Sequence, residues 1–168
     1  MKKFFKKLVT FEPLIIWVRY FLTLNLNFFI ANFILPLIIC ILLGIFRFDI
    51  IETINLDIFT ISSIFIGFSI SILAILLTSG NKNIEESKNV NLKKTNISLY
   101  RAMIYKFAYI IYNLVFLILF YLILNVCNIN NTICNLICIF ILINALLTII
   151  EATSNTIFTL LKKDNNEK

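Results

Sequence analysis

"IFTISSIFIGFSISILAILLT", residues 58–78, runs for six helical turns without a charged side chain, and its reading decides what kind of protein this is. A bilayer core of ~30 Å is crossed by about 20 apolar residues rising ~1.5 Å each. Each apolar residue near the helix centre favours insertion by about 0.3–0.6 kcal/mol, whereas a central Asp, Lys or Arg costs about 2.5–3.5 kcal/mol. The stretch therefore predicts a membrane-spanning helix. Three more segments meet the same requirement with no Lys, Arg or Asp inside them: 26–46, 107–126 and 133–150, the last continuing as helix-compatible sequence to Leu161. The expected fold class is all-α: a polytopic membrane protein built as a four-helix transmembrane bundle.

Composition agrees with this reading. Hydrophobic residues make up 60% of the 168, against about 45–50% in soluble domains, and charged residues 14%, against about 25%. The mean hydropathy is +0.95. The 34 isoleucines and 19 asparagines point to an AT-rich, bacterial genome, so a single Asn carries less weight than its position on a helix face.

The basic residues then orient the chain. Lys2, Lys3, Lys6, Lys7 and Arg19 precede the first expected span, and Lys82, Lys88, Lys93, Lys94, Arg101 and Lys106 lie between the second and third. Lys162, Lys163 and Lys168 follow the fourth, leaving only Arg47 for the other connections. By the positive-inside rule both termini and the loop 79–106 face the cytoplasm of a bacterial inner membrane. That loop, which opens "SGNKNIEESKNVNLKKTN", is the one internal place to meet a cytosolic protein or lipid headgroups. Its six basic residues are the candidate contacts, although Ile84, Val90, Leu92 and Ile97 are spaced too irregularly to predict an amphipathic helix.

Residues 1–25 form a separate unit. Four lysines precede Glu12 and Pro13, and "LIIWVRYFLTLN" is apolar except for a stripe at Glu12, Arg19, Thr23 and Asn27. This predicts an interfacial amphipathic helix begun at Pro13 and anchored by Trp17 and Tyr20, lying along the inner leaflet. The domain layout is thus 1–25, a transmembrane unit 26–161, and a tail 162–168. Pro36, lacking an N–H, predicts a kink inside the first span.

Three side-chain patterns stand out within the spans. Ser63, Gly67 and Ser71 recur every four residues, followed by Ala74 and Thr78, making a small-residue face suited to close helix packing, within the chain or between copies of it. Asn144, Thr148, Glu151 and Asn155 share one side of the fourth span. The position of Glu151 near the cytoplasmic boundary suits either an ion pair with Arg101 or Lys106, or a pore-lining role. Tyr105, Tyr109, Tyr112 and Phe116 form an aromatic stripe on the third span, with Asn113 placed to satisfy a hydroxyl.

Enzymatic chemistry finds little support. Histidine is absent, which removes the commonest general base and metal ligand, and no acid pair stands at catalytic spacing. Cys40, Cys127, Cys134 and Cys138 have neither the spacing nor the partners of a zinc site and read as small buried hydrophobes, though Cys127 and Cys134 flank an outer loop where an oxidising compartment could join them. No cofactor is expected, and the loop lacks the glycine-rich and aromatic features of nucleotide or nucleic-acid binding. Three functional classes follow: a non-enzymatic homo-oligomer coupling the membrane to a cytosolic partner, an oligomeric pore, and a small-solute transporter. Four short spans with one basic inner loop also suit small membrane subunits of bacterial immunity and toxin systems, an analogy of layout that suggests phage defence as a setting.

Overall fold

Where a long apolar segment has no water to satisfy its backbone, helix is the economical conformation, because every N–H and C=O is bonded within the segment. The computed structural model follows this rule; it describes residues 12–23, 29–46, 48–80, 82–91, 97–127 and 132–161. Its elements are α1 (Glu12–Thr23), a π-helical turn (Ile30–Ile34) running into α2 (Leu35–Phe46), α3 (Phe48–Thr78), α4 (Lys82–Asn89), α5 (Leu99–Val126) and α6 (Thr132–Leu161). Among the described residues the only strand-like pairing is an isolated bridge between Asn91 and Ser98.

Among the described residues three helices are long and apolar enough to cross a membrane: Asp57–Thr78 within α3, Leu99–Val126 and Thr132–Leu161. The segment expected as the first span forms the shorter apolar helix Ile30–Ile45, with its first residues outside the described set. Large apolar side chains face outward all around these helices, among them Leu37 and Ile41 on α2, Ile64 and Phe68 on α3, Leu119 and Ile123 on α5, and Ile150 on α6. A surface so apolar is costly in water and matches the acyl chains of a bilayer.

The core lies where α3, α5 and α6 meet. On α5, Phe107, Ile110, Leu114 and Leu117 are buried at alternating spacings of three and four. On α6, Cys138, Leu142, Ala145, Ile149 and Ala152 repeat the same alternation, with fully buried Ala145 and Ala152 allowing close approach. Helix α2 leans on α6 through a second cluster of Cys40 and Ile139, joined by Leu43, Leu136, Phe140 and Ile143. A Cβ added to Gly44 would sit 3.1 Å from Leu136 Cδ1, so this contact depends on glycine. Cys40 and Cys138 are buried as expected; all four cysteines are free thiols, so Cys127 and Cys134 are not joined.

Two connections differ from expectation. Residues 48–57, expected as an outer loop, are the first turns of α3. They contain neither Gly nor Pro to interrupt a helix. The inner loop also holds a helix, α4, that irregular apolar spacing did not reveal. Only Ile84 and Ser87 of α4 are buried, enough to seat one short helix across the ends of α5 and α6, where Asn83 Nδ2 donates to Leu160 O at 3.1 Å. The N–H of Leu99 donates to Val90 O at 2.8 Å and closes the loop on itself. Lys93, Lys94, the first eleven residues and the tail 162–168 lie outside the described residues.

Candidate functional site

Pro36 has no N–H to give the carbonyl four residues earlier, that of Asn32. The backbone there takes the wider π-helical turn Ile30–Ile34, in which Leu35 N–H reaches back to Ile30 O. The irregularity expected from proline thus takes the form of a π turn, and Asn144 Nδ2 on α6 donates to the Asn32 carbonyl. Neighbouring helices commonly satisfy backbone groups released in this way.

Around this junction the structure assembles a cluster of polar side chains from four elements. Asn144 Oδ1 accepts from Tyr109 OH at 3.0 Å and from Asn113 Nδ2 at 3.5 Å, both on α5. Thr148 Oγ1 donates to Asn144 O at 2.8 Å, leaving its lone pair to face Tyr20 OH of α1 at 3.4 Å. Asn32 Nδ2 donates to Glu151 Oε2 at 2.8 Å and lies 3.5 Å from Tyr20 OH. Glu151 Oε1 forms an ion pair with Lys106 Nζ, the two side chains being only 10% and 8% exposed. A carboxylate and an ammonium so far removed from solvent are tolerated because each neutralises the other and Asn32 takes up a further carboxylate oxygen.

Tyr20 closes the cluster. It is fully buried, and its ring stacks on that of Tyr109 with centroids 3.9 Å apart and planes at 17°. Burial pushes its phenol well above the ordinary range, so it stays a neutral hydrogen-bonding group. The expectation that Tyr20 anchors α1 at the interface is therefore corrected: α1 turns Tyr20 onto α5 and α6, while the partly exposed Trp17 packs edgewise on Tyr109 at 5.5 Å. Arg19 donates to Tyr105 OH and places its guanidinium 5.3 Å above the ring.

Of the polar stripe expected on α6, Asn144, Thr148 and Glu151 come together here, facing the interior of the chain. Asn155 is half-buried and its side chain makes no hydrogen bond among the described residues. Lys106, expected both among the cytoplasmic contacts and, with Arg101, as a possible ion-pair partner of Glu151, is the buried partner, because it lies two turns inside α5 on the face turned to α6. Sequence reading missed Asn32 and Tyr20; the position of Pro36 four residues after Asn32 was the available signal. Tyr109 found Asn144 across the helix interface, with Asn113 donating to the same oxygen. Tyr112 is half-buried and Phe116 exposed, stacked on Phe120.

The small-residue face is placed the opposite way from the polar stripe. Ser63, Gly67, Ser71, Ala74 and Thr78 are all exposed, and a Cβ on Gly67 would meet nothing within 4 Å. Among the described residues nothing packs against this face, and α3 turns Ile58, Ser62, Ser69 and Leu76 inward. The hydroxyls of Ser63, Ser71 and Thr78 donate to the carbonyls of Phe59, Gly67 and Ala74, at 2.8, 2.9 and 2.8 Å, so the face carries little unmet polarity. On the loop, Lys82, Lys88 and Arg101 are exposed. Among the described residues no group of three or more His, Cys, Asp or Glu could hold a metal ion.

Comparison of the chain with protein-family models, with curated proteins and with solved structures gave no match.

Proposed function

We propose that the chain is a non-enzymatic, multi-pass protein of the bacterial inner membrane, with four crossings and both termini cytoplasmic, that associates with copies of itself through the face of Ser63, Gly67, Ser71, Ala74 and Thr78. One observation carries this reading: a smooth strip of small residues on a span, hydroxyls folded back on their own helix, with no other part of the described chain against it. In lipid, where apolar surface alone gives no drive to associate, such strips let backbones approach closely enough for dispersion to hold them. The basic loop 79–106 would then present a cytosolic protein with as many copies of its charge as there are subunits. The layout suggests a membrane subunit of a phage-defence system, and co-elution with the product of a neighbouring gene, lost on deleting the loop, tests that setting.

Mass measurement in nanodiscs tests self-association directly. A defined oligomer that Gly67→Leu reduces to monomer is the expected result; a strict monomer, or an oligomer indifferent to that change, removes the reading. A second reading, an oligomeric pore or a transport path, draws on the buried polar cluster, since paired charges inside a membrane commonly mark ion or solute pathways. Planar-bilayer recording discriminates: absence of conductance in every state, or conductance unchanged by Glu151→Gln, counts against it.

A further inference from the structure

At the loop end of α5 lies a half-open cavity of about 370 Å³ lined by Lys88, Asn91, Ser98, Tyr100 and Arg101. We propose that this cavity binds a phosphate group, and that its natural source is the headgroup of an anionic phospholipid. Among the described residues the lining contains two cationic side chains and no carboxylate. Neither Lys88 nor Arg101 has an ion pair among the described residues, whose salt bridge is the distant Lys106–Glu151 pair. Two cations converging on one concavity without a counter-charge repel each other, and a phosphate entering between them reverses the sign of that interaction.

The lining side chains supply the geometry of an anion site. Exposed Lys88 places its Nζ 5.4 Å from the centroid of the Tyr100 ring, over the cavity wall. Arg101 offers the forked donors that match two phosphate oxygens, and Asn91 adds a neutral amide donor. The positive charge comes from these side chains and not from the helix end. The N–H groups of Leu99, Arg101 and Ala102 are engaged by Val90 O, Ser98 Oγ and Ser98 O, respectively. Ser98, buried and extended at the start of α5, is thus used to hold the wall in place.

Position favours a headgroup over a soluble phosphate. The cavity sits beside the first turn of α5 and is tied to the last turns of α3, where Tyr100 OH donates to Leu76 O at 3.5 Å. It therefore lies at the ends of two candidate spans, at the depth where lipid phosphates are found. A single chain contains the whole cavity, so the inference stands or falls separately from self-association.

The test uses the full chain in a neutral detergent, titrated with short-chain phosphatidylglycerol, short-chain phosphatidylcholine and inorganic phosphate, and read by native mass spectrometry as adducts per chain. Saturable retention of one phosphatidylglycerol is expected, weakened at least tenfold by Arg101→Gln and by Lys88→Gln and unchanged by Arg19→Gln, an exposed cation on α1 outside both the cavity and the loop. Both lining cations are exposed, so the variants retain the fold, and unaltered unfolding midpoints verify it. Inorganic phosphate that binds as tightly as the lipid, and displaces it, would keep the phosphate site and assign a soluble source. Binding of none of the three, or a loss from Arg19→Gln equal to that from Arg101→Gln, overturns the proposal.

Discussion

Neutralising Glu151 should cost far more than its single ion pair contributes. Glu151→Gln removes the carboxylate that pairs with the Lys106 ammonium, which is 8% exposed between α5 and α6. It also replaces a carboxylate oxygen facing Asn32 Nδ2 with an amide that can match it in only one of two orientations. Breaking one side of a buried pair typically costs about 3–5 kcal/mol, and with both side chains about nine-tenths buried little of that is screened by solvent. Lys106→Met should cost a similar amount for the converse reason. Combining Glu151→Gln with Lys106→Met removes both charges together, leaves an amide oxygen to accept from Asn32 Nδ2, and should return stability to within about 1 kcal/mol of the parent, giving a coupling energy of several kcal/mol. Reversible unfolding in mixed micelles measures all four corners of the cycle, with helix content as one probe. Trp17, the chain's one tryptophan, is the second, since it packs on Tyr109 beside the cluster. Additive single and double effects, or a Glu151→Gln penalty under about 1 kcal/mol, would refute the claim that the pair is a closed unit within the fold.

Three further outcomes follow from the same geometry. Asn144→Leu strands the Asn32 carbonyl and Tyr109 OH and should destabilise by about 2–3 kcal/mol, with part of the loss recovered in a Pro36→Ala background that returns an N–H near Asn32, as chemical unfolding would show. Tyr20→Phe removes one shared hydroxyl and should cost about 1 kcal/mol while Trp17 emission stays put, whereas Tyr20→Ala also loses the ring stack and should shift that emission as α1 lifts from α5. Gly67→Ala meets open space and should stabilise the monomer by up to about 1 kcal/mol, but Gly44→Ala presses on Leu136 and should lose that gain, a contrast measurable as a raised thermal midpoint for Gly67→Ala and none for Gly44→Ala.

Much of the fold was legible from one dimension. Apolar run length located the segments that become α3, α5 and α6, because crossing lipid imposes a minimum length on each segment separately. Helical periodicity likewise established that Asn144, Thr148 and Glu151 share a side, and that Ser63, Gly67 and Ser71 do. Helix α4 escaped notice because its stability comes from seating Ile84 on other helices, and the helical start of α3 because its polar residues resembled a loop.

Periodicity groups residues onto a face but does not say which way that face turns. In water the apolar face must turn inward, so orientation is legible; in lipid both inside and outside are apolar, and that signal disappears. Only the tertiary arrangement therefore decided that the small residues of α3 face outward, that the polar stripe of α6 meets Lys106, Tyr109 and Asn32 inside, and that α1 buries Tyr20. The sequence by itself determined that this is a chain of apolar helices with its basic residues gathered at alternate connections, because insertion energy and charge are summed locally. The pairing of a charge with its partner 45 residues away was set by how α5 and α6 pack, a property that belongs to neither helix alone.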